Sequence, residues 1–321
     1  MLGMAKITRR STDSKSIKEI FDEFQTRNKI KGLTSKTISY YEVQTKSFFG
    51  FLQRHNIDRI HDITTDDIDN YILYLQETHK NSITVNTILR SVRAFMYFCM
   101  GKGYLPTFKI KLGKQENKVV ATYSDADIAK LIGKKPNLKA VSFPQHRNYV
   151  MICYFLETGN RLSSVINIKV SDVNFGDKYI VLRKTKNRNE QIVPLTQVLL
   201  SILPEYIQLW GLSDDSYLFP SQNGTQATIN AIESSIARYN KAHGVKITSV
   251  HAFRHTYAKN YIVTGGSAFK LQMLLGHSDL SMTRKYVHLF GEDLAKDIDE
   301  HSIVERVKPI SKRITKSTKN L

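Results

Sequence analysis

The sequence predicts a mainly α protein in two parts, a helical N-terminal bundle followed by a mixed α+β, mostly helical domain with a small β-hairpin or sheet. Three observations predict it. Apolar residues recur at helical spacing through four segments between residues 13 and 105. A lysine-rich stretch without sustained helical period, residues 106–123, separates them from a second set of helical segments over 124–306. Inside that second set, KYIVLRKTKNRNEQIVPL places two β-rich runs around a polar turn, the pattern of a hairpin.

The first helix opens at Ser16, with Glu19 three residues later in capping-box register and Ile17, Ile20, Phe21 and Phe24 following on one face. SKTISYYEVQTKSFFGFLQRHN supplies the second helix. TTDDIDNYILYLQETH starts the third after Thr64 or Thr65, and SITVNTILRSVRAFMYFCMGKGYL forms the fourth, ending at Gly101 and Gly103 before Pro106. Lys36, Lys46, Arg90 and Arg93 fall on the polar faces of this bundle and are its candidate phosphate contacts. PTFKIKLGKQENKVVATY reads as an extended linker lying along a polyanion. Ser124 or Asp125 then caps a new helix, and QHRNYVMICYFLETGNRL is a buried helix that breaks at Gly159 just before Arg161. Helices resume after the hairpin. LLGHSDLSMTRKYVHL sets His277 beside a tight turn and Tyr286 nine residues on, in otherwise apolar surroundings. GEDLAKDIDEHSIVERV carries a helix-like apolar stripe of Leu294, Ile298, Ile303 and Val304, and residues 307–321 read as a flexible basic tail.

Composition narrows the partners. Lysine and arginine number 47 against 29 acids, a formal charge of +18, so association with a polyanion is favourable and strongly salt-dependent. No apolar run is long enough to span a bilayer, and MLGMAKITRRSTDSKS lacks the apolar core of a secretory signal, so a cytoplasmic protein is expected. Cys99 and Cys153, the only two cysteines, lie in apolar helical patterns and read as reduced core residues. GxxxxGK[ST] is absent, so nothing points to a nucleoside triphosphate, and neither a metal nor a cofactor is expected.

The residues that carry chemistry gain weight from their order. Arg161 follows the helix-breaking TGN, Lys186 lies in the hairpin turn, HAFRH spans His251, Arg254 and His255, and His277 and Tyr286 come last. With these landmarks the chain resembles the tyrosine recombinase (phage integrase) family over nearly its whole length. ETGNRLSSVINIKVSDV looks like the family's first box, which puts Arg161 at the first catalytic arginine. RKTKNRNEQIVPL looks like its hairpin, with Lys186 seven residues before Val193. SVHAFRHTYA is similar to the HxxRH box and LLGHSDLSMTRKYVHL to the last box, which makes Tyr286 the nucleophile and His277 the His/Trp position. The N-terminal bundle, notably TVNTILRSVRAFMYF, looks like the family's core-binding domain. Since little precedes residue 13, the chain resembles two-domain members that have no arm-binding domain, and residues 124–306 become the catalytic domain.

The chemistry implied is cleavage and rejoining of DNA strands through a 3′-phosphotyrosyl intermediate. Two permanently charged guanidiniums, Arg161 and Arg254, suit the nonbridging oxygens of a phosphorane-like transition state. A phenol with an ordinary pKa near 10 needs a base, which either His251 or His255 could be, with His255 in support. Lys186 would protonate the leaving 5′ hydroxyl, with Lys184 and Arg188 competing for that place, and His277 would donate a hydrogen bond to a phosphate oxygen. The covalent ester keeps the bond energy, which explains the missing nucleotide site. One departure is Ser164, where the family commonly has an acid three places after the arginine; Asp172 is the substitute support for Arg161.

The resemblance further implies double-stranded DNA as partner and a homotetramer on two DNA sites, and it leaves room for accessory DNA-bending proteins. In the family the segment after the nucleophile box docks into a neighbouring protomer, which would involve the stripe at Leu294–Val304. The same chemistry would serve a mobile-element integrase, a Xer-like resolvase of DNA multimers or a type IB topoisomerase-like nicking-closing enzyme. A regulator with silent catalysis would look the same in charge and bundle, but the intact set of seven residues argues against it. A histidine-based metal hydrolase is disfavoured by the lack of an HExxH-like helix.

Overall fold

The computed structural model describes residues 15–114, 120–185, 190–277 and 279–290, and divides the chain into two compact units at 118/119. Among its described residues unit 1 holds four α-helices, α1 (Ile17–Ile30), α2 (Ser35–Arg54), α3 (Thr65–Thr78) and α4 (Ser82–Gly101). The capping box opens α1 as expected. Ser16 Oγ accepts from the Glu19 amide at 3.3 Å, and Glu19 Oε2 accepts from the Ser16 amide at 2.7 Å. Thr64, not Thr65, caps α3 through the same device with Asp67. The core of this unit is aromatic: Phe21, Phe24 and Phe95 meet mostly edge to face, with centroids 5.4 to 5.8 Å apart. Tyr71 is fully buried, and its hydroxyl is satisfied by Ser47 at 2.6 Å. Cys99 sits in the same core, where burial pushes its thiol up to about 12.

The stretch read as an extended linker is anchored at both described ends. Leu105 and Ile110 are buried in unit 1, Phe108 and Leu112 pack on them, and Asn86 exchanges two hydrogen bonds with the Gly113 backbone at 2.9 and 3.0 Å. The alternation Phe108, Ile110, Leu112 has a period of two, so one side of an extended chain is apolar while Lys109 and Lys111 face away. At the other end Tyr123 belongs to unit 2, stacked 4.2 Å from Phe253 with its amide donating to Thr256 Oγ1 at 2.8 Å.

Unit 2 is built around α6 (Phe143–Thr158), which packs against α5 (Asp125–Ile132), α8 (Gln197–Leu209), α9 (Ile229–Ala242) and α10 (Val250–Val263). Its apolar residues are buried nearly all round, as its lack of a polar stripe requires. The short α7 (Leu162–Val165) follows, and then a three-stranded antiparallel sheet of β1 (Val173–Asn174), β2 (Tyr179–Leu182) and β3 (Gln191–Pro194) in that order. Strands β2 and β3 form the expected hairpin, with Val181 opposite Ile192. The third strand was not legible because two residues carry no period. Two further helices, α11 (Ala268–Leu275) and α12 (Ser281–Phe290), close the unit. Ala258, Leu271, Leu275 and Tyr286 make the small apolar cluster that seats α10, α11 and α12 on one another. The expected stripe at Leu294, Ile298, Ile303 and Val304 and the tail 307–321 lie outside the described residues, as do Lys186 and Arg188. No helix among the described residues is long and apolar enough to cross a membrane.

Candidate active site

Two glycines with left-handed backbones build the floor of the site. Gly159, at φ +61°, ends α6, and Gly276, at φ +60°, ends α11. The turns they make present main-chain carbonyls to the same small volume. Arg254, on α10 and only 5% exposed, donates from Nη1 to the Gly159 carbonyl at 2.8 Å and from Nη2 to the Leu275 carbonyl at 3.0 Å. Arg161, half-buried just before α7, donates from Nη1 to the Leu275 and Gly276 carbonyls at 3.5 and 3.3 Å. Both guanidiniums therefore share the C-terminal end of α11. The accepting carbonyls and the negative end of the helix dipole offset the repulsion between two adjacent cations. Burial, and then the neighbouring Arg161, pull Arg254 down to about 10, which still leaves it charged at neutral pH.

Asp172 does not support Arg161. Its Oδ1 accepts from Arg183 Nε at 2.6 Å and its Oδ2 from the Lys169 amide at 2.9 Å, so both carboxylate oxygens are committed beside the sheet. Ser164 is buried, and carbonyl groups rather than an acid position Arg161. An acid cannot be inferred from spacing when main-chain oxygens do the same work.

Tyr286 lies on α12, 6% exposed, and its hydroxyl is 2.8 Å from His255 Nδ1. Burial raises the phenol's pKa, while Arg254 and Arg161 pull it down. His255 is half-buried on α10. Burial, with His251 and Arg254 nearby, lowers its pKa, so its ring is neutral at physiological pH and able to accept a proton. His251, one turn earlier on the same helix and exposed, has its ring 6.4 Å from that of His255. Of the two candidate bases, His255 is the one in hydrogen-bond contact with the phenol.

His277 is buried between the two halves of this arrangement. Its Nε2 is 2.6 Å from Arg254 Nη2 and its Nδ1 is 2.9 Å from Thr283 Oγ1. Because both ring nitrogens are engaged within the protein, the ring as placed has no hydrogen for a phosphate oxygen, unlike the expected donor. The structure thus brings together Arg161, Arg254, His255, His277 and Tyr286, with His251 adjacent. Sequence reasoning missed Gln191, whose Nε2 donates to the Met273 and Leu274 carbonyls at 3.3 and 2.7 Å and ties β3 to the end of α11. The phosphate-contact candidates are a separate set on unit 1: Lys36 and Lys46 are exposed on α2, Arg90 is exposed on α4 and Arg93 is half-buried.

The family profile described as "Phage integrase family" matches residues 130–292, and the profile for the phage integrase N-terminal SAM-like domain matches residues 23–103. The chain belongs to the phage integrase family. Among curated relatives it is similar to a tyrosine recombinase of Pseudothermotoga lettingae, 28% identical over 82% of this chain and 91% of that one. Tyrosine recombinase XerD of Staphylococcus saprophyticus is likewise 28% identical, over 84% and 93%. Among solved structures, a lambda integrase tetramer bound to a Holliday junction aligns with a TM-score of 0.68 at 18% identity, over 86% of this chain and 78% of that one. A Tn1549 transposon integrase bound to transposon right end DNA aligns at 0.66 and 17% identity, over 85% and 94%. The mostly helical fold of this family member agrees with theirs.

Proposed function

We propose that this chain is a site-specific DNA recombinase that cuts and rejoins strands through a phosphotyrosyl ester on Tyr286. The observation that carries the reading is the convergence of a buried phenol, a neutral imidazole 2.8 Å from it and two carbonyl-held guanidiniums at the end of α11. Arg161 and Arg254 bind the nonbridging oxygens of one DNA phosphate and stabilise the charge that grows there. Tyr286 Oη attacks the phosphorus, and its proton passes to His255 Nδ1. The phosphorus–oxygen bond to the 5′ side breaks, and the leaving oxygen takes a proton from Lys186, which falls between β2 and β3 in the sequence. The 3′-phosphotyrosyl ester keeps the energy of the broken bond, so a 5′ hydroxyl from another strand can reverse the step without a nucleotide.

The partner is double-stranded DNA, in line with the charge of +18. Lys36, Lys46, Arg90 and Arg93 contribute phosphate contacts from unit 1. A homotetramer on two DNA sites, working in the cytoplasm, fits the reading, and a lambda integrase tetramer of the same fold has been seen on a Holliday junction. Relatives named XerD fit multimer resolution, and transposon and phage integrases of the same fold fit mobile-element integration. Incubating the protein in chelator with a nicked suicide substrate tests the reading. A denaturant-resistant protein–DNA adduct is expected from the native chain and none from Tyr286→Phe. An adduct that survives in the variant removes Tyr286 from the role, and one that needs a divalent metal refutes the mechanism.

A further inference from the structure

Helix α10 carries chemistry on one face and is held along the opposite face by a single residue. At about 100° per residue, His251, Arg254 and His255 form one stripe of the helix, while its cap Ser249, Phe253 and Thr256 form another about 180° away. Tyr123 meets all three members of the second stripe. Its hydroxyl donates toward the Ser249 and Ile247 carbonyls at 3.2 and 3.4 Å and accepts from Asn240 Nδ2 at 2.9 Å. Its ring stacks on Phe253 with the two planes 13° apart, and its amide donates to Thr256 Oγ1 at 2.8 Å. Thr256 is 1% exposed and gives its own hydrogen to the Ala252 carbonyl at 2.8 Å, so its lone pairs face the Tyr123 amide. The contacts run from residue 249 to residue 256, a span that includes all three catalytic candidates on α10.

Among the described residues of unit 2, Tyr123 is also the first that is buried, and the lysine-rich stretch from unit 1 leads into it. Helices α6 and α12 pack on α10 as well, so the helix does not need Tyr123 in order to form. Apolar packing has little directionality, whereas hydrogen bonds on either side of an aromatic stack resist turning of the helix about its own axis. We propose that Tyr123 is a positioning residue that fixes the rotation of α10 and thereby aims Arg254 and His255. The proposal rests on the reading of those two residues as the phosphate-binding and proton-accepting groups. Their polar atoms stand about 5–6 Å or more from the helix axis, so a rotation of about 10° displaces them by roughly 1 Å, a misplacement that can cost on the order of 10²-fold in rate.

Three substitutions separate this role from packing. Tyr123→Phe keeps the stack and loses the hydroxyl, Thr256→Val keeps the shape and loses the acceptor, and Thr256→Ser keeps the acceptor. Deleting one contact relaxes part of the hold, so single-turnover adduct formation on the suicide substrate at saturating DNA should fall about tenfold in the first two and stay within about twofold in Thr256→Ser. Duplex binding should be unchanged in all three. Tyr239→Phe is the matched control: it removes a buried hydroxyl from the same unit, but one that donates to the Leu131 carbonyl of α5 at 3.0 Å, and it should cleave at the native rate. NMR titration of the His255 imidazole in the full chain is a readout independent of cleavage. Burial and the neighbouring His251 and Arg254 lower that pKa, so a turned helix should move it toward the ordinary histidine value in Tyr123→Phe and leave it in place in Tyr239→Phe. Native cleavage by Tyr123→Phe, an unmoved His255 titration in that variant, or equal losses in Tyr239→Phe would each overturn the proposal, whether or not Thr256→Val folds. An adduct surviving in Tyr286→Phe would instead refute the nucleophile, and the titration would still decide the role of Tyr123.

Discussion

Substituting alanine for Gly159 tests whether a backbone turn holds the buried Arg254, and the expected loss combines backbone strain with a steric clash. At φ +61° an L side chain is strained by about 1 kcal/mol. The lower entropy of the unfolded alanine chain adds to stability if the fold is compatible, but here it does not offset a clash. An ideal Cβ would lie 2.5 Å from Tyr257 Cδ1 and 2.8 Å from Leu275 Cδ2, both in packed positions, and overpacking of this kind costs about 1–3 kcal/mol. The sum is a destabilisation of about 2–4 kcal/mol. Gly244→Ala is the control: its φ is +70°, a Cβ there meets nothing within 4 Å, and only about 1 kcal/mol of strain applies. The single tryptophan, Trp210, lies in unit 2, so its fluorescence reports unfolding of that unit alone. Thermal melts followed by this signal should drop by roughly 5–15 °C for Gly159→Ala and by no more than about 4 °C for Gly244→Ala. The Gly159 carbonyl also accepts from Arg254 at 2.8 Å, so the first variant should lose adduct formation at temperatures where it is still folded, while the second should not. Equal melts for the two variants, or native cleavage by folded Gly159→Ala, would refute the reasoning.

His255→Ala should slow adduct formation on the order of 10²-fold or more, and more than His251→Ala does, as measured by single-turnover kinetics on the suicide substrate. Because His255 must be neutral to accept the proton and its pKa is lowered, the rate should rise with pH through a midpoint below the ordinary histidine value and then level off; a midpoint above it would point to another base. Lys186→Ala should slow an ordinary substrate far more than one with a 5′-thiol leaving group, and equal losses on both would hand the role to Lys184 or to no lysine. Truncation after Phe290 should leave single-site DNA binding intact and weaken cooperative binding and strand exchange, seen as lost higher-order complexes in native gels.

Much of the fold was legible because it rests on local signals. The capping box at Ser16, the helix start at Thr64 or Thr65, the helix break at Gly159 and the polar turn between β2 and β3 are each written in a few adjacent residues. What was not legible depends on groups that sequence does not label. The support of Arg161 falls to the Leu275 and Gly276 carbonyls, more than a hundred positions away in the chain and present in every residue type. Asp172 was an expected partner by charge, yet Arg183 lies nearer to it through the sheet. The anchoring of residues 105–113 was hidden by Lys109 and Lys111, although the apolar alternation of Phe108, Ile110 and Leu112 around them was the available sign. His255 could not be ranked above His251 from spacing, since a difference of one helical turn decides which ring reaches Tyr286.

The placement of the two arginines also bears on how the site waits for DNA. Two guanidiniums at one helix end repel each other, and without a phosphate the repulsion would splay them. Here the hydrogen bonds of Arg161 and Arg254 among the described residues run to neutral acceptors: the Gly159, Leu275 and Gly276 carbonyls and the His277 ring. A carboxylate would have held them more tightly, but it would have to be displaced, or would share its negative charge with the incoming phosphate and weaken the pull on it. Neutral acceptors orient the forks while leaving their charge uncompensated. In the proposed role, a DNA phosphate would be the first full negative charge to hydrogen-bond with this pair, and the same carbonyls can stay in place while it binds. Replacing Ser164 by aspartate, which restores an acid three places after Arg161, should lower the affinity for the scissile phosphate if this reasoning holds. Competition binding of native and Ser164→Asp protein to duplexes with and without a neutral methylphosphonate at the cleavage site measures it. An unchanged preference for the charged phosphate would show that the acid is harmless, and that neutral support at Arg161 confers nothing on binding.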